Sequence, residues 1–329
     1  MIQGFDTFPY LYYPTIGNNS IIYTMENLNI LIIGGTGFIG SALSKTLLAA
    51  GHEISVLSRN PAPGSFLQNS TTYIQADVSK PGIWQDKIPD FQVIINLTGA
   101  SIFRRWTNSA KKAILESRTH TTRNLVDALS ARKGMNTYFL STSAVGYYGF
   151  HGDEELDEDS PPGVDFLASL AIEWETLAMK AETYGARVIP LRFGIILGKG
   201  GGALKQLIPL FKSYLGSPLG SGDQWFSWIH MEDLTNIYLF LLEEPDIAGP
   251  INCTSPNPVR NRELTKAIGE ELGKPTFMPA VPTFAMKVIL GEFGSILVKG
   301  QKVLPKRLLN KGFRFRFPEI KEALADLLE

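Results

Sequence analysis

The chain has 329 residues, of which 44% are hydrophobic and 19% are charged, an ordinary balance for a globular protein large enough to bury an extensive core. The formal net charge of −1 gives no reason to expect a nucleic acid or an anionic membrane as a partner, and no apolar run reaches the roughly 18–20 residues that a membrane span needs. A single cysteine, Cys253, excludes an internal disulfide and fits a cytoplasmic protein, and scattered histidines predict no metal site.

Residues 1–24 differ in composition from the rest of the chain. They contain six aromatic residues, one acid and no lysine or arginine, so they lack the basic start of a signal peptide. We interpret them as an N-terminal tail outside the fold, either an upstream start or a segment that orders only on contact.

From residue 25 to residue 194, short apolar and β-branched runs alternate with amphipathic stretches. The predicted strands cover residues 29–33, 53–57, 72–75, 93–97, 138–141 and 187–191, and the predicted helices cover residues 38–50, 111–131 and 164–184. Strands separated by helices of this length predict an α/β fold of the Rossmann type, a doubly wound parallel sheet with helices on both faces.

The pattern becomes looser beyond residue 194. Glycines are crowded at residues 198–202 and 216–222, and helical periodicity returns at residues 231–242 and 261–272. We predict that residues 195–224 and 251–329 form a smaller C-terminal α/β domain on the substrate side, and that residues 225–250 return to the sheet domain.

A glycine-rich segment, Gly34-Gly-Thr-Gly37-Phe-Ile-Gly40, joins the first predicted strand to the first predicted helix. In this position Gly34 allows a sharp turn, Gly37 lets backbone N–H groups approach a pyrophosphate, and Gly40 allows the helix to pack closely. The predicted cofactor contacts here are Gly34, Thr36, Gly37, Phe38, Ile39 and Gly40.

The end of the second strand indicates which dinucleotide binds. Where NAD-binding proteins place an acid that holds the ribose hydroxyls, this chain has Ser58 and Arg59. A guanidinium binds the 2′-phosphate of NADP, which a carboxylate would repel, so we predict NADP(H); the alternative is a solvated loop arginine. Asp77 is predicted to accept from the adenine amino group, although an ordinary turn aspartate explains it nearly as well.

Several motifs resemble the extended short-chain dehydrogenase/reductase superfamily. Beside the glycine segment they are Asn96-Leu-Thr-Gly99-Ala100, Ser141-Thr-Ser143-Ala-Val-Gly-Tyr147-Tyr148-Gly149 and Trp228-Ile-His230-Met-Glu-Asp233-Leu234. More narrowly, the chain resembles the atypical "epimerase family" group that carries a C-terminal domain of unknown function, DUF1731. The segments that carry this narrower resemblance are Arg104-Arg-Trp106-Thr, Ser117-Arg118, Arg192-Phe-Gly194-Ile-Ile-Leu-Gly198, residues 220–230 and Gly300-Gln-Lys-Val-Leu-Pro305. The resemblance implies NADP binding, with Leu97, Thr98, Gly99, Ala100, Ser141 and Arg192 as further cofactor contacts.

The catalytic pair of that superfamily, a tyrosine followed four residues later by a lysine, is missing. None of the eleven tyrosines has a lysine at that spacing, and the matching positions are Leu167 and Ala171. The remaining candidates are Ser143, Tyr147 and Tyr148. Ser143 matches the serine that hydrogen-bonds the reacting oxygen in the superfamily, and either tyrosine could be the proton donor. The alternative is that both tyrosines only pack within a loop.

Substrate contacts are predicted from five residues near the expected crevice. Arg104 and Arg105 can bind an anionic substrate, and the other three are Trp106, Trp228 and His230. The alternatives are that the two arginines are solvated, that the histidine has a structural role and that the tryptophans fill the core.

Three functions therefore stay open. The chain is expected to be an NADP(H)-dependent oxidoreductase that acts on a small carbonyl or sugar-like substrate. The alternatives are a non-enzymatic NADP(H)-binding sensor and, more weakly, a nucleotide-sugar epimerase. Epimerisation needs reversible proton transfer, so the absence of the tyrosine–lysine pair argues most strongly against it. A homodimer through the long helices at residues 111–131 and 164–184 is common in this fold.

Overall fold

The computed structural model describes residues 27–60 and 70–329, so the predicted tail at residues 1–24 lies outside the described residues. Strands and helices are numbered in chain order. The main strands are β1 Asn29–Ile33, β2 Glu53–Ser58, β3 Thr71–Gln75, β4 Val93–Asn96, β5 Thr137–Ala144, β7 Ala186–Phe193 and β11 Ile251–Cys253. The short strands are β6 Glu155–Leu156, β8 Ile195–Leu197, β9 Trp225–Phe226, β10 Trp228–His230, β12 Val259–Arg260 and β13 Lys302–Val303. The helices are α1 Phe38–Ala49, α2 Asn108–Leu129, α3 Phe166–Met179, α4 Gly202–Lys212, α5 Met231–Glu243, α6 Asn261–Glu271, α7 Thr283–Leu290, α8 Glu292–Ile296, α9 Lys306–Asn310 and α10 Ile320–Leu328.

The seven main strands form one parallel sheet in the order β11-β7-β5-β4-β1-β2-β3. The chain runs outward from β1 through β2 to β3 and then returns to the other side of β1 as β4. In open α/β sheets, ligands bind at the carboxyl ends of the strands where the order reverses. The predicted doubly wound fold is confirmed, and the gap between β1 and β4 is the expected ligand crevice.

Helices cover both faces of the sheet, which explains why its central strands are apolar without alternation. On β1, Ile30 and Ile32 face one core layer, which the helices α1 and α5 complete. Leu31 and Ile33 face the opposite layer, completed by α2 and the end of α3. The two layers fix the helices that border the crevice.

Local capping sets helix starts that differ from the sequence prediction. Helix α2 begins at Asn108 because the Thr107 hydroxyl accepts the backbone N–H of Ala110. Helix α3 begins at Phe166 because the Asp165 carboxylate accepts two N–H groups of the first turn. The predicted helix at residues 164–184 is thus α3 followed by a 3₁₀ turn, Lys180–Tyr184.

The boundary predicted at residue 251 does not match the sheet. Strand β11 pairs with β7 at the edge of the main sheet, so the return to the sheet domain extends to Cys253. Leu308 and Phe313 also belong to the core layer under α5. A three-residue strand directly after Gly249 and Pro250 is too short for periodicity to reveal. Among the described residues, no helix is both long and apolar enough to cross a membrane.

A second core lies beside the sheet. Helices α4, α6 and α10 contribute most of it, and Trp228 is its largest fully buried side chain. The segment with α7 and α8 instead packs on the loop after β4, where Phe293 contacts Trp106. The C-terminal part of the chain therefore borders the crevice on the side of β4 and β5.

Candidate functional site

The turn between β1 and α1 is closely packed backbone. Gly34 has a φ of +82°, which favours glycine. A Cβ on Gly40 would collide with the carbonyl oxygen of Gly34 and would lie 2.5 Å from Cα of Gly35. Gly37 is exposed and precedes α1 without a side-chain cap, so the first N–H groups of α1 face outward. This arrangement fits a pyrophosphate.

We expect Gly40→Ala to weaken NADPH binding by at least about tenfold, because the added methyl group must push α1 away from the turn that presents the N–H groups. Fluorescence titration of NADPH measures the affinity. Gly152→Ala is a control for the loss of a glycine, since Gly152 is exposed, has no positive φ, and a Cβ there meets no atom within 4 Å. Unchanged NADPH affinity in Gly40→Ala would contradict the role of this turn.

The glycines that crowd residues 198–202 surround the ring of Phe38. A Cβ on Gly198 would lie 2.7 Å from its Cζ, and Cβ atoms on Gly201 and Gly202 would also press on the ring. The loop before α4 therefore lies against the first residue of α1. Nothing in the sequence pattern pointed to this contact.

The residues predicted to select the dinucleotide lie at the carboxyl end of β2. The hydroxyls of Ser58 and Thr36 are 3.1 Å apart, which joins this strand to the glycine turn. Arg59 is exposed. The Asp77 carboxylate accepts hydrogen bonds from the backbone N–H and hydroxyl of Ser79, and these hold its pKa below the usual value. Asp77 therefore shapes its own turn and is also exposed.

The loop after β4 continues the crevice next to the glycine turn. The Asn96 side chain accepts from the backbone N–H and hydroxyl of Thr98 and donates to the Thr122 hydroxyl of α2. Leu97 donates its N–H to Ile33 at the end of β1. Gly99 is exposed and Ala100 is half-buried, so the predicted contacts of this loop border the crevice.

A buried ion pair occupies the ends of β5 and β7. The Glu175 carboxylate accepts from Nε and Nη2 of Arg192 at 2.9 and 2.8 Å, and Ser143 donates its hydroxyl proton to the same carboxylate at 2.5 Å. Burial alone would lower the pKa of Arg192, but the hydrogen bonds and charge of Glu175 raise it. Arg192 is 2% exposed. The prediction of Arg192 as a cofactor contact is corrected, because its guanidinium is fully engaged inside the protein.

The two candidate tyrosines have different surroundings. Tyr148 is fully buried, donates to Oδ1 of Asn252 at 2.7 Å and accepts from Nη1 of Arg192 at 2.8 Å, and burial raises its pKa. This placement corrects the prediction of Tyr148 as a proton donor, since its hydroxyl cannot reach a substrate. Tyr147 is half-buried, and the Arg192 guanidinium stacks on its ring at 3.5 Å. Its hydroxyl has no hydrogen-bond partner among the residues that the structure describes.

Apolar side chains occupy the positions that match the superfamily's catalytic pair. Leu167 packs against Gly146, where a Cβ would lie 3.2 Å from the Cβ of Leu167, and Ala171 is buried. Ser141 is buried with an unpartnered hydroxyl. Of the predicted catalytic groups, Tyr147 is thus partly accessible, whereas the Ser143 hydroxyl is hydrogen-bonded to Glu175.

The predicted substrate contacts in the loop after β4 take different roles. Arg104 is exposed. Arg105 donates to the carbonyl oxygen of Val288 at 3.0 Å and thereby attaches α7 to this loop. Trp106 is buried, donates to the carbonyl oxygen of Ile102 and packs on Phe293. Trp106 is thus a core residue under the crevice, which corrects its assignment as a substrate contact.

Trp228 and His230 are also structural. Trp228 is fully buried and donates its indole N–H to the carbonyl oxygen of Asn257. His230 accepts the backbone N–H of Glu232 through Nδ1 at the start of α5, its Nε2 faces the Asp326 carboxylate at 3.3 Å, and burial lowers its pKa. Both predictions of substrate contact are corrected, because neither side chain reaches the crevice.

Arg118 of α2, from one of the segments that carry the narrower family resemblance, is half-buried beside the loop after β4. The structure gives Arg118 no carboxylate partner among the described residues. Its guanidinium lies beside Gly99, where a Cβ would be 2.9 Å from Cζ, and 5.1 Å from the Trp174 ring. The sequence analysis did not identify Glu175 as a site residue. The one available signal was its position as an acid directly after Trp174 in the largely apolar helix α3.

Comparison with known proteins gives the family. Residues 30–253 match the NAD dependent epimerase/dehydratase family, and residues 281–327 match the domain of unknown function DUF1731. The chain belongs to the NAD dependent epimerase/dehydratase family. The predicted resemblance to the extended short-chain dehydrogenase/reductases is confirmed.

Individual relatives cover nearly the whole chain. The Arabidopsis thaliana protein "Epimerase family protein SDR39U1 homolog, chloroplastic" is 39% identical over 92% of this chain and 88% of its own length. The Bacillus subtilis protein "Epimerase family protein YfhF" is 38% identical over 92% of this chain and 98% of its own. A crystal structure of human epimerase family protein SDR39U1 with NADPH has a TM-score of 0.80 at 34% identity, covering 91% of this chain and 99% of that one.

Proposed function

We propose that the protein is an NADPH-dependent oxidoreductase of the short-chain dehydrogenase/reductase type that reduces a small carbonyl compound. The observation that carries the proposal is the closely packed turn of Gly34 and Gly40, after which α1 begins at an exposed Gly37 with no side-chain cap on its first N–H groups. The human relative, 34% identical, was crystallised with NADPH, which supports the same cofactor here.

Residues around the crevice would hold this cofactor in three places. The turn from Gly34 to Gly40 would hold the pyrophosphate, and Ser58 and Arg59 would hold the 2′-phosphate. The loop Leu97–Ala100 would lie along the part of the cofactor nearer to β5. When bound, NADPH supplies a hydride to the carbonyl carbon of the substrate.

Tyr147 is the proposed proton donor. Its phenol proton passes to the carbonyl oxygen, which becomes the hydroxyl of the product, and the half-buried ring allows water to return the proton. Arg192, which stacks on the ring at 3.5 Å, holds it in place as a positioning residue. The Ser143 hydroxyl keeps acceptor capacity only, because its proton is donated to Glu175.

Because the Ser143 proton is donated to Glu175, Ser143 cannot donate it to a substrate. This favours a second candidate function, an NADP(H)-binding sensor without turnover. Titration of NADPH fluorescence with the purified protein, followed by a small-metabolite extract, separates the two. Enhanced fluorescence that then decays with the extract supports the oxidoreductase. Enhancement without decay in any extract favours the sensor, and no binding of NADPH contradicts both.

The choice of dinucleotide has its own test. We expect Arg59→Ala to weaken NADPH binding by about 10- to 100-fold and NADH binding by less than about threefold, because only NADPH carries the phosphate that the guanidinium would bind. Isothermal titration calorimetry measures both affinities. Arg123→Ala, at an exposed position of α2, is the control for the lost charge. Equal losses for both dinucleotides would remove Arg59 from the 2′-phosphate site.

A further inference from the structure

The Arg118 guanidinium combines partial burial with the lack of a counter-ion. Its Nη1 donates to the carbonyl oxygens of Ala100 and Ile114, both at 3.1 Å. Within residues 27–60 and 70–329 its Nε and Nη2 make no hydrogen bond to another residue, and no carboxylate lies within salt-bridge distance. Burial lowers its pKa to about 10, which leaves the group charged at neutral pH.

A cation removed from water without a partner is costly, and an anion that pairs with it recovers that cost. Arg192, which is fully buried at this end of the sheet, has such a partner in Glu175. Arg118 has no such partner, and Gly99, at the exposed edge of the loop after β4, lies against its Cζ and its free Nη2. A side chain at residue 99 would occupy the space against the guanidinium.

The position of Arg118 in the sheet separates it from the phosphates of the proposed cofactor. The pyrophosphate site lies at the end of β1, and the 2′-phosphate site lies at the end of β2, on the far side of β1 from β4. Arg118 lies on the other side, on α2, and its guanidinium rests on Trp174 of α3. The next residue of α3, Glu175, holds Ser143 at the end of β5. Arg118 therefore lies on the β4 and β5 side of the crevice, away from both phosphate sites of the proposed cofactor.

We propose that Arg118 binds a carboxylate or phosphate group of the substrate, so that the carbonyl compound reduced here is an anion. Two parallel N–H groups, on Nε and Nη2, are available for a bidentate contact with either oxyanion. This inference rests on the proposed function, since it names the substrate class of the same crevice.

The test titrates oxalate and, separately, inorganic phosphate into the protein saturated with NADPH, by calorimetry at constant ionic strength. Saturation blocks the phosphate sites at α1 and Arg59. We expect one of the two anions to bind, and Arg118→Gln to weaken that binding by at least about tenfold, with NADPH affinity unchanged within about threefold. Arg123→Gln, on the same helix and exposed, should leave anion affinity unchanged. The preferred anion tells a carboxylate substrate from a phosphate substrate.

Three results would overturn the proposal: neither anion binds to the wild-type complex, Arg118→Gln binds it as well as the wild type, or Arg118→Gln loses NADPH affinity about tenfold. The last would assign Arg118 to cofactor binding, directly or through its hydrogen bond to Ala100. If the glutamine variant does not fold, Arg118→Lys keeps the charge without the bidentate fork, and intermediate anion affinity is expected. If the wild type binds anions but not NADPH, the proposed function fails while the anion site stands.

Discussion

Replacing Arg192 with methionine should lower the free energy of unfolding by about 3–5 kcal/mol, because it leaves the Glu175 carboxylate buried without its cation. The pair is 2.8 Å apart at Nη2 and Oε2, and both side chains are nearly inaccessible to water. The same change removes the donor that reaches the Tyr148 hydroxyl. Urea unfolding followed by circular dichroism measures the loss.

The control for Arg192→Met is the double variant with Glu175→Gln. Once the carboxylate is neutral, the missing guanidinium no longer leaves a buried charge, so the double variant should be more stable than Arg192→Met alone. Because the pair is buried, added salt should change the result little. A loss below about 1 kcal/mol in Arg192→Met, or a double variant that is less stable still, would contradict a buried ion pair that stabilises this end of the sheet.

The sheet and the phosphate turn were predictable because each depends on local sequence. An apolar run such as residues 29–33 fits a strand buried on both faces, and the spacing of Gly34, Gly37 and Gly40 between that strand and a helix is typical of a turn that holds a dinucleotide phosphate. The start of α2 at Asn108 was less predictable, because the capping hydroxyl of Thr107 lies before the apolar periodicity begins.

The partners of charged residues were the hardest feature to predict from the sequence. Arg192 and Arg118 have the same residue type and both lie near motifs, yet Arg192 has a carboxylate partner 17 residues earlier in the chain and Arg118 has none among the described residues. Which arginine is paired depends on how α2 and α3 pack beside β5 and β7. A single sequence holds no local signal for that packing, and the same reason explains why His230 and Trp228 turned out to be structural.

The two adjacent tyrosines also show that a single sequence cannot tell which of two neighbouring side chains is buried. The sequence offered Tyr147 and Tyr148 as equal candidates for the proton donor. The 3₁₀ turn Val145–Tyr148 directs one ring into the core, where Asn252 and Arg192 engage its hydroxyl, and leaves the other half-buried. Asn252 lies more than a hundred residues away in the chain, so the choice between the two rings is made by tertiary structure.

Replacing Tyr147 with phenylalanine should therefore lower kcat by at least about 100-fold and leave NADPH affinity within about twofold, because it removes the proton donor and keeps the ring that Arg192 stacks on. The rate of NADPH consumption with an active metabolite fraction measures the effect. Tyr148→Phe is the matched control: it should lose about 1–3 kcal/mol of stability from its broken hydrogen bonds and keep turnover within a few-fold at a temperature where it stays folded. Wild-type turnover in Tyr147→Phe would place the donor elsewhere in the crevice. A loss of turnover in Tyr148→Phe alone would show that the buried ring, rather than the accessible one, carries the proton.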